Sequence, residues 1–417
     1  MKEGKIREAV RRSSSKSELT LLDPWSTITT PDSESKKVID VLREKHPAPA
    51  PVYKEAVKEV LEYEELPQPK VIDITAADIE RQASFLSGSG GPSRIDASCL
   101  KRLLLTHGEP SKDLREQLAR RANMIAKEQV EWARIEASQA CRGIGLGKTV
   151  TIDGDSMTAT KTRPVDIPET ISRLLTKCIC DKVRSEYVDA CGVKQLCTGV
   201  RAGLEASVHA MRVVYEEGNQ LNTAEEPEVI MALDAKDAFN RQSRITTLLR
   251  NRIKCPSSSV YTCNTHRSPA LIFIHDRNGK KCEVIKQREG FSQGGPQAMN
   301  LFAINTLELL EDTDDMAEQD QLIVTGYADE GSDAQIGIGL GFQGAALERE
   351  DFLQSHEEAR STTPSHQIPP LPDTPLPPSS PPPKSRQIRK VAYADDFYIT
   401  GPISKVLEKA ERLTIKG

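Results

Sequence analysis

The chain has 417 residues, 37% of them apolar and only 4% aromatic, with a formal net charge of −5. Its length sets an expectation of two or three compact units. An apolar share below the roughly 45–50% of ordinary domains points to packed cores diluted by unfolded segments. No apolar run nears the ~20 residues of a membrane-spanning helix, and the charged start MKEGKIREAVRRSSSKSE lacks the apolar stretch of a secretory leader. Nine irregularly spaced cysteines do not make a disulfide framework. A membrane-spanning or disulfide-stapled secreted protein is thereby excluded, and an intracellular protein with reduced thiols is expected, nucleus or cytoplasm undecided.

The charge is uneven. Between Glu311 and Lys390 fifteen acidic residues face six basic ones, a balance of −9 that leaves +4 for the remainder. A mildly basic body with an acidic insert suits a nucleic-acid enzyme; mixed, solvated surface charge explains it equally well.

Residues 1–70 read as sparse helix and linker, with RRSSSKSE and HPAPAPV flanking a short helical stretch around Ser35–Lys45. Residues 71–200 read as a mainly helical region. Its first part, from about Ala76 to Cys141, is interrupted by the turn Ser87–Pro92 and carries a long helical stretch over Ser111–Ala140. A helix over Glu169–Ala190 follows, with Ile171, Leu174, Leu175, Cys178 and Ile179 on one face. Residues 201–310 open with a helix over Arg201–Glu217, then the run Val229-Ile-Met-Ala-Leu-Asp234, a buried strand with a carboxylate at its tip. A helix at about Gln242–Arg252, a hairpin of Ala270–His275 with Lys280–Lys286 around Asn278-Gly279, and a helix over Gln297–Leu310 complete the region.

Residues 311–387 break the pattern. They are acidic, then Gly-rich, then proline-rich, with ten of the 26 prolines between Pro364 and Pro383, and polyproline II or disorder is expected. Order returns in residues 388–417 with Val391-Ala-Tyr-Ala-Asp-Asp-Phe-Tyr-Ile399, the pattern of a tight hairpin with acids at its turn, and a helix around Ile403–Leu413.

Asp234, Asp395 and Asp396 thus sit at strand ends, where unpartnered burial of a carboxylate costs several kcal/mol. Oxygen-ligated divalent cations suit such groups, and two ions about 4 Å apart can activate a hydroxyl and stabilise a leaving phosphate oxygen. One such Asp is ordinarily a turn or cap residue; the two features together shift the reading to a metal site. None of the seven histidines stands in an acid–base or zinc constellation, and Cys178-Ile-Cys180 lacks a second pair and reads as a helix face. Gly143–Thr149 imitates a phosphate-binding loop, but Arg142 occupies its opening Gly position.

LDAKDAFN, GFSQGGPQAMN and AYADDFYI, in that order, resemble motifs A, B and C of reverse transcriptases, most closely those of eukaryotic retrotransposons. VLREKHP, GSGGPSRID, KTRPVDIPETISRLLTKCI and QLCTGVRAGLEASVHAMR are similar to the same group, so the resemblance covers most of the chain outside 311–387. It implies an α+β fold: a polymerase right-hand palm, an antiparallel sheet backed by helices, with helical fingers, no thumb and a disordered Pro-rich insert. It implies Asp234, Asp395 and Asp396 as catalytic, metal-ligating acids, the backbone carbonyl of Ala235 completing a metal's shell, and two Mg²⁺ ions, or Mn²⁺, as cofactors. Phe239 falls where the family places its gate against a 2′-hydroxyl, the alternative being a core Phe. Gln293, Gly294 and Pro296 form the turn bordering the template and nascent base pair, and Lys161 and Arg163 reach the triphosphate. The implied partners are an RNA template, a DNA primer and dNTPs, with no membrane.

Some features depart from that pattern. Motif B reads QGGPQA, about one hundred residues separate it from YADD, and the chain stops soon after motif C. A near-copy, Gly326-Tyr-Ala-Asp-Glu330, is followed by Gly-Ser-Asp-Ala rather than by an apolar return strand. Two other readings therefore stand beside the polymerase: a truncated, inactive relic retaining at most nucleic-acid binding, and an interaction protein whose PPLPDTPLPP suits SH3- or WW-type grooves.

Overall fold

The computed structural model describes residues 19–29, 34–51, 66–153, 156–192, 194–200, 202–221, 227–234, 237–276, 278–311, 389–393 and 396–408. The expected disorder of the insert, the proline tract with its expected SH3- or WW-type partner, the near-copy at 326–330, Ala235 and Asp395 lie outside them. The chain divides into two compact units, one of Met1–Arg201 with Asp234–Glu308, the other of Ala202–Leu233 with Leu309–Gly417.

The strands are β1 (Leu19–Leu22), β2 (Thr27–Thr29), β3 (Ser35–Lys37), β4 (Cys141–Asp153), β5 (Ser156–Pro168), β6 (Glu228–Asp234), β7 (Ala270–His275), β8 (Cys282–Gln287), β9 (Arg389–Tyr393) and β10 (Asp396–Pro402). The helices are α1 (Val38–Glu44), α2 (Ala76–Ser84), α3 (Ala97–Leu105), α4 (Glu109–Lys127), α5 (Glu136–Gln139), α6 (Thr170–Lys182), α7 (Arg184–Cys191), α8 (Gly203–Leu221), α9 (Ala238–Arg241), α10 (Arg244–Lys254), α11 (Pro256–His266) and α12 (Ala298–Glu311). The fold is α+β. One mixed sheet runs β3-β2-β5-β4-β7-β8, with β1 also paired to β4, and a second runs β6-β10-β9.

In the first unit the long β4–β5 hairpin is the spine, in register from Cys141↔Pro168 to Asp153↔Ser156. Its sequence alternates with period two, and the buried side is the small one: Cys141, Gly143, Gly145 and Gly147. Helix α1 takes up the space this leaves. A Cβ on Gly145 would stand 3.2 Å from Val38 Cγ1 and 3.5 Å from Leu42 Cδ1, so glycine marks a close approach of two elements. Val38, Ile39, Val41 and Leu42 form one core with Leu22, Ile28, Cys141, Ile272, Ile274 and Ile285.

A larger core lies among the helices, joining Ile79 and Ala83 of α2, Leu100 and Leu104 of α3, Ala122 and Ile125 of α4, Leu174, Leu175 and Ile179 of α6, and Ala303, Ile304 and Leu307 of α12. Thr75 and Asp78 open α2 with a reciprocal capping box. Helix α11, PSSSVYTCNTH, is Ser/Thr-rich and almost wholly buried. Polar residues are tolerated there because they bond one another. The Tyr187 hydroxyl donates to Asn251 Oδ1 at 2.9 Å, and Gln297 Nε2 donates to Tyr187 Oη at 2.9 Å and to Thr262 Oγ1 at 2.7 Å.

Several expectations are corrected. The 1–70 region contributes three strands to the first sheet, and residues 35–37 are strand, not helix. The 71–200 region is not simply helical, since β4 and β5 occupy 26 of its residues as a hairpin. The helix expected over 111–140 ends at Lys127, and that over 169–190 breaks at Val183. Helix α11 has no helical sequence signal, because Ser, Thr and Asn compete locally for backbone bonds.

In the second unit Val229, Met231 and Leu233, alternate residues of β6, pack on Ile399 and Val406. Residues 403–408 are helical after β10. Among the described residues no helix is long and apolar enough to cross a membrane.

Tyr187→Phe removes the hydroxyl shared by Asn251, Ser258 and Gln297 in a buried setting. Urea unfolding is expected to show a loss of about 1–3 kcal/mol, the cost of stranding buried polar partners.

Candidate active site

The second sheet brings two acid-bearing strands together. β6 ends on Asp234, β10 begins on Asp396, and the two are neighbours. The Ile403 amide donates to the Pro227 carbonyl at 3.0 Å, joining the residue before β6 to the residue after β10. The strands therefore run antiparallel, and the end of β6 shares a sheet edge with the start of β10. Both are seven residues long, so they stay in step from that bond. β9 pairs with β10 from Asp396↔Tyr393 to Thr400↔Arg389, a hairpin joined through Ala394 and Asp395.

The side chains of Asp234 and Asp396, with all of Ala235 and Asp395, lie outside the described residues. Among the described residues no group of three or more His, Cys, Asp or Glu is placed to hold a metal ion.

The segment that follows Asp234 belongs to the first unit and is tightly held. Asp237 takes the left-handed conformation, φ 54°. Lys45 Nζ, just past α1, donates to both of its carboxylate oxygens at 2.6 and 2.7 Å, and the pair is mostly buried. Asn240 Nδ2 donates to the Lys45 carbonyl at 2.9 Å. Phe239 is 8% exposed and its ring lies 4.9 Å from that of Phe302, a packed core position. The Phe239 carbonyl accepts from the Phe291 amide at 2.8 Å and the Gln242 carbonyl from Gly290 at 3.0 Å. Gly290 (φ +65°) is required there, since a Cβ would stand 2.3 Å from the Phe239 carbonyl oxygen. Buried Arg244 closes the junction, donating to the Gly290 carbonyl through Nη2 at 2.9 Å. Burial holds the Arg244 pKa down to about 10.

Gln293 and Gly294 are exposed in the turn before α12, and Pro296 is half-buried. A Cβ on Gly294 would meet the Asp166 carbonyl oxygen at 2.9 Å, so this turn lies directly against β5. Arg163 is exposed on the same strand, opposite Leu146; the Lys161 backbone pairs with Lys148, and its side chain is outside the described residues. Asp166 is buried and takes Nε2 of buried His46 at 3.2 Å, while His46 Nδ1 bonds the Leu42 carbonyl at 2.8 Å. A cavity of about 60 Å³ opens beside the turn, with Gln287 Nε2 and Gln297 Oε1 buried on its lining residues without partners. Its size and polarity suit about two ordered waters.

Lys45, His46, Asp166 and Asp237 are the residues the sequence reading passes over. They lie within VLREKHP, KTRPVDIPET and LDAKDAFN, but nothing in the spacing of those segments brings them together.

Burial lowers the His46 pKa, but the hydrogen bond and charge of Asp166, with the bond to the Leu42 carbonyl, outweigh it and leave the pKa above the usual 6.5. The folded state therefore holds this proton more tightly than the unfolded chain, and the stabilisation is complete below pH 6.5 and lost as pH rises through the folded value. Denaturation midpoints across pH 5–9 are expected to fall on the alkaline side for the wild type and to lose that component in His46→Gln. In Lys45→Met, the Asp237 carboxylate keeps, among the described residues, just the 3.8 Å ion contact with Arg241. A loss of about 3 kcal/mol is expected by urea unfolding, because a mostly buried carboxylate loses its partner.

No protein-family model matches the chain, and no curated protein matches it.

Proposed function

We propose that the chain is a template-directed polymerase of the reverse-transcriptase type, extending a DNA primer on an RNA template in a right-hand palm built on the sheet β6-β10-β9. The observation that carries this reading is the antiparallel pairing that sets the Asp234 end of β6 and the Asp396 start of β10 at one sheet edge. The same chain holds LDAKDAFN, SQGGPQ and YADD in the order of the reverse-transcriptase motifs A, B and C they resemble.

Carboxylates from adjoining strand ends form an all-oxygen donor set, which fits Mg²⁺ or Mn²⁺. Asp234, Asp395 and Asp396, with the Ala235 carbonyl, would hold such ions, which supply charge stabilisation at the reacting oxygens. The protein's other groups do positional work. Arg163, exposed on β5, and Lys161 on the same strand bind triphosphate oxygens through charge-assisted bonds. The Gln293–Pro296 turn borders the template, and Gly294 keeps it close to β5. The primer 3′-oxygen bonds to the α-phosphorus as the bond to pyrophosphate breaks, and holding the two in line is the main source of rate.

A chain that keeps the palm without catalysis, retaining at most nucleic-acid binding, is the second reading, favoured by the departure of QGGPQA from motif B and the roughly one hundred residues between it and YADD.

Primer extension on an RNA template with Mg²⁺ or Mn²⁺ separates the two. The polymerase predicts extension by the wild type and a loss on the order of 10²-fold or more in Asp234→Ala and in Asp395→Ala, several kcal/mol of transition-state stabilisation. Equal inertness of all three proteins, each still binding primer–template, would establish the second reading instead.

A further inference from the structure

Between α2 and α3 the chain makes the loop Ser-Gly-Ser-Gly-Gly-Pro-Ser-Arg, residues 87–94, and two arginines grip it from opposite elements. Arg173 of α6 donates to the Ser87 carbonyl at 3.2 Å and to the Ser89 carbonyl at 2.7 Å, while Arg142 of β4 donates to the Gly90 carbonyl at 3.0 Å. The glycines allow this. A Cβ would stand 3.0 Å from Arg173 Nη1 at Gly88, 2.5 Å from the Arg94 backbone at Gly90 and 2.7 Å from the Glu169 amide at Gly91. Arg94 itself is held at φ +63°, an uncommon conformation for a non-glycine residue.

Four more cations stand around this loop. Arg94 and Arg102 line one cavity of about 300 Å³ with Ser93, Ile95, Asp96, Ser98 and Cys99. Lys101 lies beside Arg102 on α3, and Lys177 lies one turn from Arg173 on α6. Burial and then the charge of Arg94 lower the Arg142 pKa; burial and then Arg173 and Lys101 lower that of Lys177. Two acids adjoin the cluster, and each is already bonded. Asp96 accepts from Ser98 Oγ and the Cys99 amide, and Glu169 accepts from the Ser93 amide and Oγ. Among the described residues none of the six cations is in an ion pair, and the two acids offset only part of the six positive charges.

We propose that this loop and Arg94, Lys101, Arg102, Arg142, Arg173 and Lys177 form a phosphate-backbone site for a single RNA strand. The cations come from a strand, a loop and two helices, which suits a chain of phosphates better than one small anion. The seryl hydroxyls add neutral donors, and Phe85, 71% exposed two residues before the loop, offers a face on which a base can stack. The choice of RNA among polyanions rests on the polymerase reading, whereas the site itself does not depend on the three acids.

The test is fluorescence anisotropy of a labelled 20-nucleotide single-stranded RNA with the full chain, over a range of salt. Arg94, Lys101 and Arg102 make no side-chain hydrogen bond among the described residues, so the triple variant Arg94→Gln/Lys101→Gln/Arg102→Gln is expected to fold, as circular dichroism will check. Its Kd is expected to rise at least tenfold at 0.1 M salt, with the salt slope reduced by about 2, three contacts at ~0.7 each. RNA binding by a chain inert in primer extension, lost in the triple variant, would sink the polymerase and leave this site standing. Unchanged RNA affinity and salt slope in the triple variant would overturn the site. So would a variant that loses only its binding to vesicles containing 30% phosphatidylserine, which would assign the cations to a lipid surface.

Discussion

The first unit depends on the close seating of a short helix on a glycine-lined strand. Gly145 presents no side chain on the buried face of β4, and Val38 and Leu42 of α1 occupy the room, while Ile272 and Ile274 of β7 fill the space over Gly143. Any larger residue at Gly145 would push Val38 and Leu42 outward. The seating also aims the residues that follow the helix. Lys45 reaches the carboxylate of Asp237 and His46 reaches Asp166, so one packing contact sets two charged pairs at distant points of the chain.

Those pairs matter because the segments they tie down carry the polymerase-like motifs. Lys45 and Asn240 hold the stretch after Asp234, and Gly290 with Arg244 joins that stretch to the approach of the Gln293–Pro296 turn. Asp166 backs the turn from β5. Each is a buried polar group whose bonding is met by a residue far away in sequence. Such networks cost stability when broken and hold backbone in one conformation when complete.

Much of the fold was legible locally. The hairpin Ala270–His275 with Cys282–Gln287 follows from two alternating runs around Asn278-Gly279, where Gly279 does take positive φ. The acid-tipped run 229–234 is a strand because it is a short, continuous apolar run, and β9 and β10 are short and carry β-branched and aromatic residues. What local pattern misread also has local causes. The glycines at 143, 145 and 147 leave β4 without an apolar–polar alternation, so the strand goes unread, and the Ser/Thr content of α11 hides a helix that its buried partners stabilise.

By itself the sequence determined which segments are strands or helices with a strong period, where acids stand at strand ends, and the order of the three motifs, because these depend on residues a few positions apart. Tertiary structure alone decided that β6 lies antiparallel to β10, that Lys45 and His46 meet Asp237 and Asp166, and that Arg142 and Arg173 grip one glycine loop from two elements. Those facts depend on close packing between elements up to about two hundred residues apart, and steric fit at that range leaves no periodic trace in the chain.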